Sequence, residues 1–162
     1  MKKLWAPWRM KYIKSEREKG CVFCDKHKSK NDRDSLILYR GEFSFIIMNL
    51  YPYNNGHLMF IPYLHESNPQ NIDNKTKLEI LNLCDLSMNI LKETIKPEGF
   101  NFGANFGRSA GAGIAQHLHY HLVPRWNGDT NFMPVLNETK TIIQELKETY
   151  DSLIDYFIKI NE

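Results

Sequence analysis

Histidine stands at every second position from His117 to His121 in the stretch "QHLHYHLVPR", with Leu118, Tyr120 and Leu122 in between. A period of two is the period of a β-strand, whose successive side chains point to opposite faces; in a helix the same residues would fan around the axis. The stretch is therefore expected to be a strand with a row of imidazoles on one face and an apolar row on the other. Pro124, which cannot donate to a ladder, is expected to end it. Alternate imidazoles on one strand face stand roughly 7 Å apart, close enough to serve one small anion or one metal ion. Half of the chain's six histidines lie in this row.

The remaining segments say what kind of sheet could hold it. After the polar stretch "DKHKSKNDRD", which reads as a loop, residues 36–39 and 43–48 read as short strands around a turn at Arg40-Gly41. "GHLMFIP" reads as a third, entered through the turn-rich "YPYNNG", and "GFNFGANFG" as a fourth. Between them, from about Asp73 to Ile95, Leu78, Leu81, Leu83, Leu86, Ile90 and Leu91 recur at helical intervals until Pro97 and Gly99 close the segment. A second amphipathic helix is expected over about 138–160, with Asn137 as its N-cap. Strands joined by short turns, with helices segregated from them, imply an α+β fold: an antiparallel sheet of about five strands with one central and one C-terminal helix.

At 162 residues, with no internal repeat or Gly/Ser linker, the chain is expected to form one domain. A net charge of +2 argues against a nucleic-acid polymer as partner while leaving room for a local phosphate site. No apolar run is long enough to cross a bilayer, so no membrane is expected, and the N-terminus lacks the apolar core of a secretory signal. A cytoplasmic location follows as the expectation. In a reducing compartment Cys21-x-x-Cys24 suggests metal chemistry ahead of a disulfide, whereas Cys84 sits in an apolar helical pattern and reads as a buried core residue.

Two constellations carry chemistry. The Gly-rich "GRSAGAGIA" precedes the histidine row and can turn backbone N–H groups toward a phosphate, with Arg108 and Arg125 flanking as further anion partners. In such a pocket a neutral imidazole can attack phosphorus and expel a leaving group while its neighbours stabilise developing charge. A catalytic zinc held by three histidines, a non-catalytic nucleotide-binding module and a plain surface strand stay open as alternatives. Cys21 and Cys24 need two further ligands for a structural zinc site; His65 and His117 are the candidates, and His27, in a lysine-rich loop, is a weaker one. No organic cofactor is implied.

The run His117-Leu118-His119-Tyr120-His121-Leu122-Val123 resembles the His-φ-His-φ-His-φ-φ signature of the histidine triad family of nucleotide hydrolases and transferases. "CVFC", "FIIMNLYPYNNGHLMFIP", "HESN", "NFG" and "HLVPRW" follow in the family's order, so the resemblance covers about 21–126, flanked by an N-terminal arm over 1–20. "LWAPWRMKYI" and "PRWNGDTNFMPV" further resemble the bacterial branch of diadenosine tetraphosphate phosphorylases and hydrolases. The resemblance implies that His119 is the nucleophile, that His121 bonds phosphate or leaving-group oxygens, and that His117 and His57 orient and support the cluster. It also implies that Asn49 contacts the ribose, that Asn105 lies near the α-phosphate, that Cys21, Cys24, His65 and His117 bind zinc where zinc is present, and that the protein is a homodimer joined through its sheets. One departure stands out: the family's glutamine ahead of the triad has no counterpart in "SAGAGIAQ", and Gly113 amides with Ser109 are the expected substitutes.

Overall fold

The computed structural model describes residues 20–129 and 144–161. Its elements run α1 (Val22–Lys28), α2 (Asp32–Ser35), β1 (Ile37–Arg40), β2 (Ser44–Met48), β3 (Leu58–Pro62), α3 (Asn74–Thr94), β4 (Gly99–Gly103), β5 (Tyr120–Arg125) and α4 (Leu146–Ile158). The strands form one antiparallel sheet in the order β1-β2-β3-β5-β4, the α+β architecture expected. No helix among the described residues is long and apolar enough to cross a membrane.

Register fixes what each sheet face carries. Phe60 pairs with Tyr120 and Leu58 with Leu122, while Met59 pairs with His121. Leu58, Phe60, Tyr120 and Leu122 therefore share one face, and Met59 and His121 share the other. β2 and β3 are buried at every position, since α3 packs against them from the first face and α1 reaches over the second. Fully buried Phe45, Ile46, Phe60, Leu91 and Leu122 each contribute about 1.5–3 kcal/mol of transfer free energy.

Helix α3 starts where its cap dictates: the Asp73 carboxylate accepts from the Thr76 N–H at 2.9 Å and from the Thr76 hydroxyl at 2.8 Å. Its buried face is Thr76, Ile80, Leu83, Cys84, Ser87, Ile90 and Leu91. Leu78 and Leu81, counted in the expected apolar stripe, are instead exposed. Thr76 and Ser87 take inward positions because their hydroxyls find local acceptors, Asp73 and the Leu83 carbonyl. Glu79 on the same helix ties down the β1–β2 turn, accepting from the backbone N–H groups of Glu42 and Phe43 and from the Ser44 hydroxyl. α4 buries Tyr150, Leu153 and Phe157, and the Tyr150 hydroxyl donates to the Ile37 carbonyl at 2.9 Å.

Several expectations need correction. The polar stretch after Cys24 is not a loop: residues 22–28 and 32–35 are helical, the second capped by Asn31. The fourth strand stops at Gly103, and 104–107 belong to the connection. The C-terminal helix begins at Leu146, with Glu145 extended before it; Asn137 and the arm over 1–19 lie outside the described residues. Pro124 does not end the histidine strand, which continues to Arg125. The Arg125 carbonyl accepts from Glu98 on the β4 side, so the Pro124 nitrogen and carbonyl face the other side, where β3 pairing has already ended at Leu58–Leu122. No ladder donor is lost there, and the Pro124 carbonyl accepts from Asn54 instead.

Candidate active site and metal cluster

The histidine row is only partly strand. β5 begins at Tyr120, so His121 alone of the three lies in the ladder. Upstream, the Leu118 N–H donates to the Glu66 carbonyl at 2.6 Å and His117 Nε2 lies 2.9 Å from the Pro62 carbonyl. Pairing with β3 stops at Phe60–Tyr120 although the register would set Ile61 opposite His119 and Pro62 opposite Leu118, and the chain fastens instead to the Pro62 and Glu66 carbonyls. His117 is consequently drawn away from its two neighbours. Its ring lies 5.0 Å from that of His65, while the His119 and His121 rings lie 5.0 Å apart.

Hydrogen-bond partners fix the tautomers. His119 Nδ1 lies 2.8 Å from the His117 carbonyl, which can only accept, so Nδ1 carries the proton and Nε2 keeps its lone pair. His57 Nδ1 accepts from the Tyr53 backbone N–H at 3.0 Å and faces the Asn49 amide nitrogen at 3.4 Å. Burial, with His121 and His119 nearby, pushes His57 down to about 3, so the ring is neutral and its single proton sits on Nε2. That proton is donated to His121 Nδ1 at 2.9 Å, which leaves His121 with its own proton on Nε2. A backbone N–H in the "YPYNNG" turn thus sets, through two rings, which nitrogen of His121 donates. Burial also holds His119 below the usual histidine range, partly offset by its bond to the His117 carbonyl.

His119 and His121 line a cleft whose apolar lining includes Val22 and Phe23 of α1 together with Ile47 and Leu50. Asn49, Asn105 and Gly113 line the same cleft, so the structure gathers these sequence candidates beside the histidines. Ser109 and Arg108 instead sit exposed in the short turn Arg108–Ala110 and are not among the lining residues. His57 is buried behind His121.

Sequence reading passed over Tyr53, Phe23 and Lys26. Tyr53 was hidden because its contribution is a backbone donor, with its ring 4.7 Å from His57. Phe23 carried a signal, an aromatic enclosed by the cysteine pair; its ring lies 5.6 Å from His117 and 5.1 Å from His119. Lys26 lines the cleft and donates to the Ser35 carbonyl at 2.9 Å, and burial lowers its pKa.

Cys21, Cys24, His65 and His117 converge, with ligand atoms all within 4.8 Å of one another. Cys21 Sγ lies 3.3 Å from His117 Nδ1, and Cys24 Sγ lies 3.2 Å from His65 Nδ1 and 3.6 Å from His117 Nδ1. A tetrahedral zinc with bonds of 2.0–2.3 Å needs ligand edges of about 3.3–3.8 Å, and these three edges lie at or close to that range. His117 directs Nδ1 at the cluster because Nε2–H is held by the Pro62 carbonyl, the outer-shell arrangement common to ligating histidines. Burial and the adjacent Cys21 push the Cys24 thiol up, as expected of two thiols that need a cation before both can ionise. His27 takes no part in the cluster; it is half-buried, its ring 5.3 Å from Tyr63. Cys84 is buried in α3, its thiol pushed up to about 11 by desolvation.

With this geometry in place, comparison with known proteins is direct. The HIT domain model matches residues 30–128. The AP-4-A phosphorylase of Mycobacterium tuberculosis is 35% identical over 161 residues, covering 92% of this chain and 80% of that protein. Among solved structures, a Zn-bound histidine triad family protein from Mycobacterium smegmatis superposes with a TM-score of 0.68 at 21% identity, covering 88% of this chain and 96% of its own. A hypothetical histidine triad nucleotide-binding protein from Sulfolobus tokodaii gives 0.64 at 28% identity, covering 86% and 90%. The signature at 117–123, the five-stranded sheet and these matches agree: the chain belongs to the histidine triad, or HIT domain, family.

Proposed function

We propose that the protein is a nucleotide hydrolase or nucleotidyltransferase that cleaves a mono- or dinucleoside polyphosphate, such as diadenosine tetraphosphate, at the α-phosphate. The observation that carries this reading is the 2.8 Å bond from His119 Nδ1–H to the His117 carbonyl, which leaves a neutral Nε2 lone pair facing the cleft. That nitrogen attacks the α-phosphorus; a P–N bond forms and the P–O bond to the leaving phosphate breaks, the oxygen departing as an anion. His121 Nε2–H donates to the bridging oxygen as charge develops on it, held to that role by His57. Nδ1–H stays on His119 throughout, so the adduct keeps imidazolium character and remains labile. Water or inorganic phosphate then attacks phosphorus, the P–N bond breaks, and AMP or ADP is released.

Asn49 serves the ribose, with Asn105 and Gly113 near the α-phosphate. The apolar wall of Val22, Phe23, Ile47 and Leu50 suits a base. Ser109 would need its turn to move inward. Cys21, Cys24, His65 and His117 hold a structural zinc, which supplies rigidity to the segment carrying His117, and thiolate ligands suit a cytoplasmic, reducing setting. The chain acts as one domain, as a homodimer through its sheet edge. β4 is an edge strand whose outer backbone faces no strand among the described residues, and sheet edges are ordinarily paired or covered.

The test is chemical. Quenching with diadenosine tetraphosphate and weighing the intact protein should reveal a nucleotidyl adduct that vanishes in His119→Ala. ADP with ATP as products in added phosphate marks phosphorolysis, and AMP with ATP marks hydrolysis. Turnover surviving in His119→Ala but lost on chelation would shift the assignment to a catalytic metal.

A further inference from the structure

The catalytic face of the sheet does not stop at His121. His121, Val123 and Arg125 of β5 point to that face and are in register with Gly103, Asn101 and Gly99 of β4. Two of these three β4 positions lack a side chain, and a Cβ placed at Gly99 or Gly103 would meet nothing within 4 Å. The result is a trough floored by Gly103, Asn101 and Val123 and walled by Tyr53 and Arg125. It joins the nucleotide cleft: Tyr53, Asn105 and His121 line both cavities, whereas His119 lines the cleft and not the trough.

That asymmetry gives the trough a direction. In an in-line displacement the leaving group departs opposite the nucleophile, so a group expelled by His119 passes His121 and emerges over Gly103. From there to Gly99 is four residues of strand, about 13 Å, enough for several phosphates.

The trough also holds a prepared cation. Arg125 Nε and Nη2 donate to Asp129 at 2.5 and 3.0 Å, and Nη1 donates to Asn101 at 2.8 Å. These bonds orient the guanidinium and engage three of its five N–H groups, leaving two for phosphate oxygens. Tyr53, 42% exposed, offers an aromatic surface beside it.

We propose that this trough is a second subsite, for the leaving half of the substrate: the phosphates beyond the α-phosphate and the nucleoside attached to them. The assignment rests on the nucleotidyl-histidine reading and deepens it, selecting substrates with a long polyphosphate leaving group over those that expel a small one.

Two substrates with the same nucleotidyl half separate the ideas. Diadenosine tetraphosphate expels ATP across the trough, whereas adenosine 5′-phosphoramidate expels ammonia and does not reach it. Gly103→Leu fills the floor, and Val123→Glu places a negative charge there, with Val123→Gln as its neutral control of the same size. In Gly103→Leu and Val123→Glu the ratio of kcat/KM for tetraphosphate over phosphoramidate should fall about ten-fold, or about 1.4 kcal/mol. Val123→Gln should hold the ratio within about three-fold on the same scale.

Parallel loss of both substrates, or an unchanged ratio in folded variants, overturns the subsite while leaving the His119 chemistry standing. If the native protein forms no adduct with either substrate, the His119 reading falls and the subsite falls with it.

Discussion

Lowering the pH from 7 to 5 should destabilise the native protein through His57. The ordinary histidine value of 6.5 is pushed down to about 3 in the fold by desolvation and by the neighbouring His121 and His119. The unfolded chain therefore takes up this proton first, and stability is lost as pH falls through the window from 6.5 toward 3. Integrating proton uptake from pH 7 to pH 5 gives a loss of about 2 kcal/mol from this one residue. The figure is insensitive to the folded value, since any folded pKa below about 4 gives nearly the same integral. With a urea slope of about 2 kcal/mol per molar, the unfolding midpoint should drop by about 1 M. His57→Gln removes the titration while keeping an amide able to donate to His121. Urea titrations of both proteins at pH 7 and 5, each with excess zinc, isolate the difference because the metal cluster is common to the two. Equal pH losses in native protein and His57→Gln would refute the tautomer chain, because they would mean that His57 is not held neutral by its surroundings.

Cys24→Ser, or removal of metal by a chelator, should lower the melting temperature by more than about 5 °C, beyond a loss of 1 kcal/mol, with metal analysis of native protein giving about one zinc per chain; an unchanged melt would dismiss the structural zinc. Phe23→Ala removes a buried ring between the cluster and His119 and should cost about 3–5 kcal/mol, read by urea unfolding. Gly56 has φ +68°, and an added Cβ would stand 2.7 Å from Ile95 Cδ1, so Gly56→Ala should destabilise by about 1–3 kcal/mol; calorimetry checks this.

How far the sequence could be read depended on whether a residue's role was local. Helix α3 was legible because Asp73 caps it and Pro97 follows its end, both effects of nearest neighbours. Its buried face was not fully legible, since Leu78 and Leu81 look apolar in sequence yet point outward, while Thr76 and Ser87 go inward with local hydrogen bonds. α1 escaped notice because Phe23 is its only buried residue, and one anchor defines no period. The candidate site was largely visible: the structure gathers Asn49, Asn105, Gly113, His119 and His121 around one cleft, and the four cysteine and histidine candidates into one cluster. What sequence could not show was the break before Tyr120. There the carbonyls of Pro62 and Glu66, distant in the chain, hold His117 and Leu118, and His117 turns to the cluster. The Tyr53 donor was equally invisible, because every residue but proline carries a backbone N–H.

Position 117 belongs to two systems through different atoms, its ring to the cysteine cluster and its carbonyl to the His119 imidazole. Replacing that side chain deletes the first contribution and leaves the second chemically intact. Scanning mutagenesis along 117–121 would therefore record the loss of a ligand at this site and remain blind to the acceptor that poises the nucleophile. Exposing that acceptor calls for editing the main chain itself: semisynthesis with the α-hydroxy acid analogue of Leu118 would turn the 117–118 linkage into an ester, weakening the oxygen without touching an imidazole while also deleting the Leu118 N–H bond to the Glu66 carbonyl. The same replacement of the residue after Glu66 weakens the Glu66 carbonyl and leaves the His117 carbonyl intact, so that loss is separable from the His119 effect.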